Sequence, residues 1–258
     1  YDGTIDPRMF AARNASGLTE PMRRRIAACY AAKVSWVDRW LGALLDALEQ
    51  TRLAPRTAIV LTSDHGTKVG EAGRFGKGYP VLPEQEGHTP FFVSAPDAGA
   101  GRCDAIVQPQ DLYATVAALA GLPGQPGMDS HDLLTLAQKG QAGPRQVALS
   151  GRPLENPKPD AVQCTVTDGR WSLLLAADPA ACRLYRGAET QEVADDAQAQ
   201  RLRRAGIEEL ARRGADPRLV DWLRAEGRRD YPVGCRLSDN LPAPAGYSSY
   251  FGRLYGGD

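Results

Sequence analysis

Apolar side chains recur in steps of three and four along Ile26, Tyr30, Val34, Val37, Leu41, Leu44, Leu45 and Leu48. That period lines up one face of an α-helix. Thr19 stands where an N-cap belongs, and Pro21 falls in the first turn, where a missing N–H does no harm. The spacing predicts a helix over 19–50 with an apolar face made to lie flat on a sheet. After the turn Ala54-Pro55-Arg56 comes Thr57-Ala58-Ile59-Val60-Leu61-Thr62-Ser63. It is short, β-branched and nearly all apolar, which predicts a strand buried on both faces, as in the parallel sheet of an α/β fold. Residues 64–89 are rich in Gly, Pro and charge and predict a long loop, of the kind that is functional or disordered. Pro90-Phe91-Phe92-Val93-Ser94-Ala95 reads as a second buried strand. A helix is expected over 110–120, with Leu112, Val116 and Leu119 on one side, ended by Gly121-Leu122-Pro123.

Between Gly124 and Pro144, Gly, Pro and Gln cluster, and this stretch reads as a joint. Beyond it the pattern shortens. Gln146–Leu149, Val162–Val166, Trp171–Leu175 and Arg183–Tyr185 are strand-like runs separated by turn signals such as Thr167-Asp168-Gly169, as in an antiparallel meander. Helical stretches follow at 194–213 and 217–226. The expected architecture is therefore α/β, with a mostly parallel sheet flanked by helices over 1–130. A small α+β subdomain with its own antiparallel sheet is expected over 131–240, and an irregular Tyr/Gly/Pro-rich tail over 241–258.

Composition narrows the function classes. The chain has 258 residues, with 31 Lys+Arg against 31 Asp+Glu. Net neutrality argues against a basic nucleic-acid clamp. Apolar runs of a handful of residues fall far short of the ~20 that a membrane-spanning helix needs. The cysteines, Cys29, Cys103, Cys164, Cys182 and Cys235, are odd in number and lack Cys-x-x-Cys spacing, which argues against a disulfide framework or a zinc ribbon. One bridge, Cys164 to Cys182, stays open. The chain opens Tyr1-Asp2-Gly3 and reads as a piece of something longer, which leaves its compartment undetermined.

Ligands of open α/β sheets bind beyond the carboxyl ends of the strands, and the first strand leads there into Ser63-Asp64-His65-Gly66. Asp64 offers a hard oxygen and His65 an imidazole, side by side where Gly66 lets the chain turn sharply. Thirteen residues after Asp64, Lys77 lies between glycines and can bring an ammonium onto an oxyanion. His88, in Glu86-Gly87-His88-Thr89-Pro90, precedes the next strand. Taken singly, an Asp-His pair is a hydrogen-bonded turn, Lys77 a solvated side chain, and His88 a structural residue beside Pro90. Their coincidence at one strand end marks a candidate site. His131, between carboxylates in the Gly/Pro joint, reads as surface.

These residues resemble the sulfatases of the alkaline phosphatase superfamily. The resemblance runs from Tyr30–Asp38 and Leu41–Leu48 through Thr57–Gly66, Gly70–Lys77, Thr89–Val93 and Gln110–Gly121 to Asp168–Leu173 and Leu184-Tyr185, about 20–215 in all. It implies a sulfuric ester hydrolase working around one divalent cation, with calcium first and manganese or zinc behind it. Asp64 and His65 would be metal ligands, and Lys77 would bridge the nucleophile and a non-bridging ester oxygen. His88 would protonate the leaving alkoxide. The substrate would be a small sulfate or phosphonate ester. Many sulfatases carry Asn where His65 stands, and the Asp-His form is similar to phosphonate monoester and phosphodiester hydrolases of the same group.

The family's nucleophile is a formylglycine made within a Cys-x-Pro/Ala-x-Arg motif behind a pair of aspartates. No such motif occurs: Cys29 leads into Tyr30-Ala31-Ala32-Lys33 and Cys235 into Arg236-Leu237-Ser238-Asp239. The chain is therefore expected to be the C-terminal part of a sulfatase-like protein, with half of a metal site and negligible turnover alone. The missing portion would supply central strands, so the first half is expected to expose apolar surface. The alternatives are a phosphonate monoester or phosphodiester hydrolase or a phosphoethanolamine transferase of the same superfamily, and a catalytically dead binding or scaffold domain. Lys77 favours the sulfatase side over the two-metal transferases, which place histidine there.

Overall fold

The computed structural model describes residues 17–77, 83–96, 98–139, 143–151, 158–189, 191–229 and 231. Cys235 and the expected tail over 241–258 lie outside them. The expected long helix is present as α1 (Glu20–Gln50), with Thr19 at its N-cap and proline in its first turn, although the Thr19 hydroxyl makes no cap bond. Two short antiparallel pairs follow: β1 (Ile59–Thr62) with β4 (Phe91–Ser94), and β2 (Lys68–Val69) with β3 (Phe75–Gly76). A π-helical turn, Pro83–Gly87, precedes β4. Next come α2 (Asp111–Leu119) and α3 (Leu133–Lys139).

Three expectations for this half need correction. All strand pairs among the described residues are antiparallel, not parallel, because the chain after β1 loops out and returns to the strand end it left, setting Phe91 opposite Thr62. β1 is only half-buried along its length, and β4 alternates, with Phe92 exposed. Two strands make a sheet too narrow to receive α1. Ile26 alone on that helix is buried, in a small cluster with Phe75, Leu18, Met22 and Val69. Tyr30, Val34, Trp36, Val37, Trp40, Leu44 and Leu45 face solvent. The expected exposure of apolar surface is thus present, and the expected packing of α1 on a sheet is not.

The second half matches its pattern closely. β5 (Ala148–Ser150), β6 (Val162–Thr167), β7 (Trp171–Ala176) and β8 (Arg183–Arg186) form one antiparallel sheet in chain order. The β6–β7 turn forms because Asp168 accepts from the backbone N–H groups of Arg170 and Trp171 while Gly169 takes a positive φ of 84°. α4 (Asp196–Arg212) and α5 (Pro217–Arg224) cover this sheet. Each starts on an aspartate cap: Asp195 accepts from Gln198 N–H and Asp216 from Arg218 N–H. Leu202, Ile207 and Leu210 of α4 and Leu219, Trp222 and Leu223 of α5 bury against Val166, Leu173 and Leu175. Gly206 lets α4 press onto β6, since a Cβ there would lie 2.5 Å from a Val166 methyl. Buried Arg203 ties the layers by donating to the carbonyls of Ala177 and Leu223.

The joint is more ordered than its composition suggests. α3 lies within it, and Arg145 forms a bidentate, fully buried pair with Asp111 (2.6 and 2.9 Å). Asp129 extends this pair to Arg212 and Arg213, so the two halves share a polar network. His131, read as surface, is half-buried, and its backbone N–H donates to Asp111. Cys164 and Cys182 are free thiols, so the open bridge is not made, and burial pushes the Cys164 thiol up to about 12. No helix among the described residues is long and apolar enough to cross a membrane.

Candidate active site

Beyond Thr62 the backbone bends on local hydrogen bonds. The Ser63 hydroxyl donates to the His65 carbonyl at 3.0 Å, and the His65 N–H donates to Asp64 Oδ1 at 2.9 Å. That backbone bond is the main reason the Asp64 carboxyl sits below its ordinary value of 3.8, helped electrostatically by the neighbouring His65 and Lys77 side chains. The carboxylate is therefore ionised near neutral pH, and its side chain is 82% exposed, leaving its outer lone pairs open to a cation.

His65 Nδ1 lies 2.8 Å from the Gly66 carbonyl, which can only accept. Nδ1 thus carries the proton, and in the neutral ring the lone pair is on Nε2. Lys77 Nζ sits 2.8 Å from that nitrogen, and Asp64 Oδ2 lies 3.3 Å from it. Three residues predicted to share a site therefore converge on one imidazole nitrogen. Lys77 reaches it because β3 pairs with β2 in a register that sets Gly76 opposite Lys68.

Gly66 is required for a reason other than the expected turn. It takes no positive φ; a Cβ there would lie 2.1 Å from the Gln85 carbonyl oxygen. Its N–H donates 2.8 Å to the Glu86 carbonyl. Behind it, Lys68 and Glu86 form a buried ion pair. Neither was singled out for chemistry, although a lysine in a chain with only 26 Arg-to-5 Lys usage was a signal. His88 stands apart from the cluster in its contacts: its Nδ1 pairs with Glu84 Oε1 at 2.9 Å, and its side chain is mostly exposed.

The donor set fits part of a divalent-cation site. A carboxylate and an imidazole whose Nε2 carries the lone pair suit calcium, manganese or zinc. The Lys77 ammonium already places one positive charge against that lone pair. Among the described residues no cluster of three or more His, Cys, Asp or Glu side chains is placed to hold a metal, so Asp64 and His65 would hold one weakly by themselves. A cavity of about 470 Å³ lies elsewhere, between Arg102–Ile106, α3 and Arg145, and the cluster has no part in its wall.

The family profile described as Sulfatase matches residues 6–122, the stretch that contains Asp64, His65, Lys77 and His88. This stretch of the chain is thus similar to the sulfatases. Among sulfatases, one from Formosa agariphila is 37% identical over 119 residues, 46% of this chain and 23% of its own. Arylsulfatase K of Xenopus laevis is 33% identical over 119 residues, 46% of this chain and 22% of its own. Iduronate 2-sulfatase of Mus musculus is 33% identical over 128 residues, 40% of this chain and 23% of its own. The sulfatase match thus spans under a quarter of the length of these relatives. A crystal structure of a candidate sulfatase from Bacteroides thetaiotaomicron superposes with a TM-score of 0.59 at 19% identity, over 86% of this chain and 49% of that one. This likeness is one of fold.

Proposed function

We propose that this chain supplies the Asp64–His65–Lys77 portion of a sulfuric ester hydrolase that works around one divalent cation, calcium first and manganese or zinc next. The observation that carries the reading is the convergence of Asp64 Oδ2 and Lys77 Nζ on His65 Nε2. The kinship with arylsulfatase K, iduronate 2-sulfatase and choline-sulfatase favours sulfate over phosphonate esters. Asp64 and His65 would hold the cation, which when bound supplies Lewis-acid stabilisation of the ester oxygens. Lys77 would leave Nε2 and donate to a non-bridging oxygen, where charge develops in the transition state. His88, oriented through Nδ1 by Glu84, would give its Nε2 proton to the leaving alkoxide.

The nucleophile would come from further polypeptide carrying the formylglycine segment. Two observations support this: the matched stretch is a small fraction of each relative's length, and α1 leaves an apolar face uncovered. The test is a substrate panel of aryl sulfate, phosphonate monoester and phosphodiester on the chain joined to that segment. Sulfate turnover should lead. Lys77→Ala should lower kcat by about 10²–10³-fold. Phosphonate turnover far above sulfate turnover, or an unchanged kcat in Lys77→Ala, would overturn the assignment.

A further inference from the structure

The two arms of the candidate site are short. His65 lies three residues past the end of β1, and Lys77 one residue past a two-residue strand. Neither arm is backed by more than the small apolar cluster around Phe75. The Lys68–Glu86 pair lies between them. Lys68 sits two residues after Gly66 and opposite Gly76 in the β2–β3 register, so it adjoins both arms at once. Glu86 sits on the π-helical turn, and its own carbonyl accepts the Gly66 N–H. Both side chains are 3% exposed.

A buried ion pair adds little net stability over apolar residues of like volume, because desolvating two charges offsets their attraction. It does fix one register, since each charge tolerates only a position opposite the other. We propose that Lys68 and Glu86 are positioning residues, whose buried pair sets His65 and Lys77 at the spacing the site needs. The inference rests on the functional reading for its purpose, and on geometry alone for its effect.

The test uses imidazole nitrogen spectra of the whole chain, which has only His65, His88 and His131 to assign, with and without Mn²⁺. The wild type should show His65 as the Nδ1–H tautomer, and Mn²⁺ should broaden its signals selectively. In Glu86→Gln, and in the apolar double variant K68M/E86L, the tautomer signature should be lost. The Mn²⁺ midpoint should rise by roughly 10–100-fold, the usual effect of losing a group that orients a metal ligand. The amide signals of β5–β8 should stay in place, and Lys68→Arg should retain both signatures. A double variant that keeps the tautomer and the Mn²⁺ midpoint would overturn the proposal, leaving the pair as packing. Were Mn²⁺ to spare His65 in the wild type while the variants still lost the tautomer, the positioning role would stand and the metal reading would fall.

Discussion

The two halves of the chain are built on opposite terms. Residues 145–229 bury a continuous apolar core between one antiparallel sheet and two capped helices, with Leu173, Leu175, Leu202, Leu219 and Leu223 fully enclosed. The described residues of 17–96 form two short strand pairs, a cluster around Ile26 and Phe75, and a long helix whose large side chains meet water. The candidate chemistry sits entirely in the sparse half. Its geometry therefore depends on polar pins: the Asp64–His65 backbone bond, the Gly66–Glu86 contact and the Lys68–Glu86 pair. In the second half, apolar packing does that work.

Unfolding measurements can break this contrast. Trp222→Ala and Leu173→Ala should each destabilise by about 3–5 kcal/mol in urea titrations, the range for emptying a packed core. Trp40→Ala and Val37→Ala, on the open face of α1, should stay within about 0.5 kcal/mol. Equal losses in the two sets would mean that α1 is covered in solution.

The seam between the halves is the next place to look. Arg145→Met leaves the Asp111 carboxylate buried without its bidentate partner and should cost about 3–5 kcal/mol. Replacing both residues with apolar ones should recover most of that loss. No recovery would show that Asp111 is needed chiefly by the N–H groups of Gln108 and His131.

Gly206→Ala tests how tightly α4 seats on β6. Its Cβ would clash with Val166, so a loss of about 1–3 kcal/mol is expected despite the helix-propensity gain. A neutral or stabilising result would mean that α4 can shift outward freely.

Acid should give the smallest and most graded effect. Burial alone would raise Asp129 and Glu209. For Asp129 the Arg212 hydrogen bond and the charges of Arg145 and Arg213 outweigh it, and for Glu209 the hydrogen bonds of Arg212 and Arg213 do. Both carboxyls end below their ordinary values of 3.8 and 4.5. A folded-state value below the unfolded one stabilises at higher pH, and that contribution fades as pH falls through the folded value. Stability from this seam should thus be whole at neutral pH and decline below about pH 4. Asp129→Asn should flatten the decline in acid unfolding curves. An unaltered curve would remove the seam from the acid response.

The contrast also explains what the sequence made legible. The second half's strands and helices fall within a few residues of their pattern, because alternation, aspartate caps and the Asp168-Gly169 turn all act locally. In the first half, α1 and the two longer strands were equally plain, but their pairing was not. Ile59–Thr62 is apolar enough for a doubly buried strand, yet nothing in its composition says whether its neighbour runs alongside or back. Asp64, His65 and Lys77 stand out in the sequence because a carboxylate, an imidazole and an ammonium gathered beyond one strand are chemically distinctive. Lys68, Glu86, Arg145 and Asp111 went unnoticed because each finds its partner 18 or 34 residues away, and ion pairs across a fold leave no periodic trace. His88 was grouped with the site by its nearness in sequence to β4, and its hydrogen bond goes to Glu84 instead.

The central claim is that Asp64 and His65 form two donors of a single cation seat that Lys77 overlooks. Anomalous diffraction from crystals of this chain equilibrated with millimolar Mn²⁺ tests it most directly. The account predicts one peak within bonding distance, about 2.0–2.3 Å, of both the Asp64 carboxylate and His65 Nε2, with the Lys77 ammonium displaced from that nitrogen. A peak bound to other residues, or none at His65 with Lys77 still seated on Nε2, would contradict it.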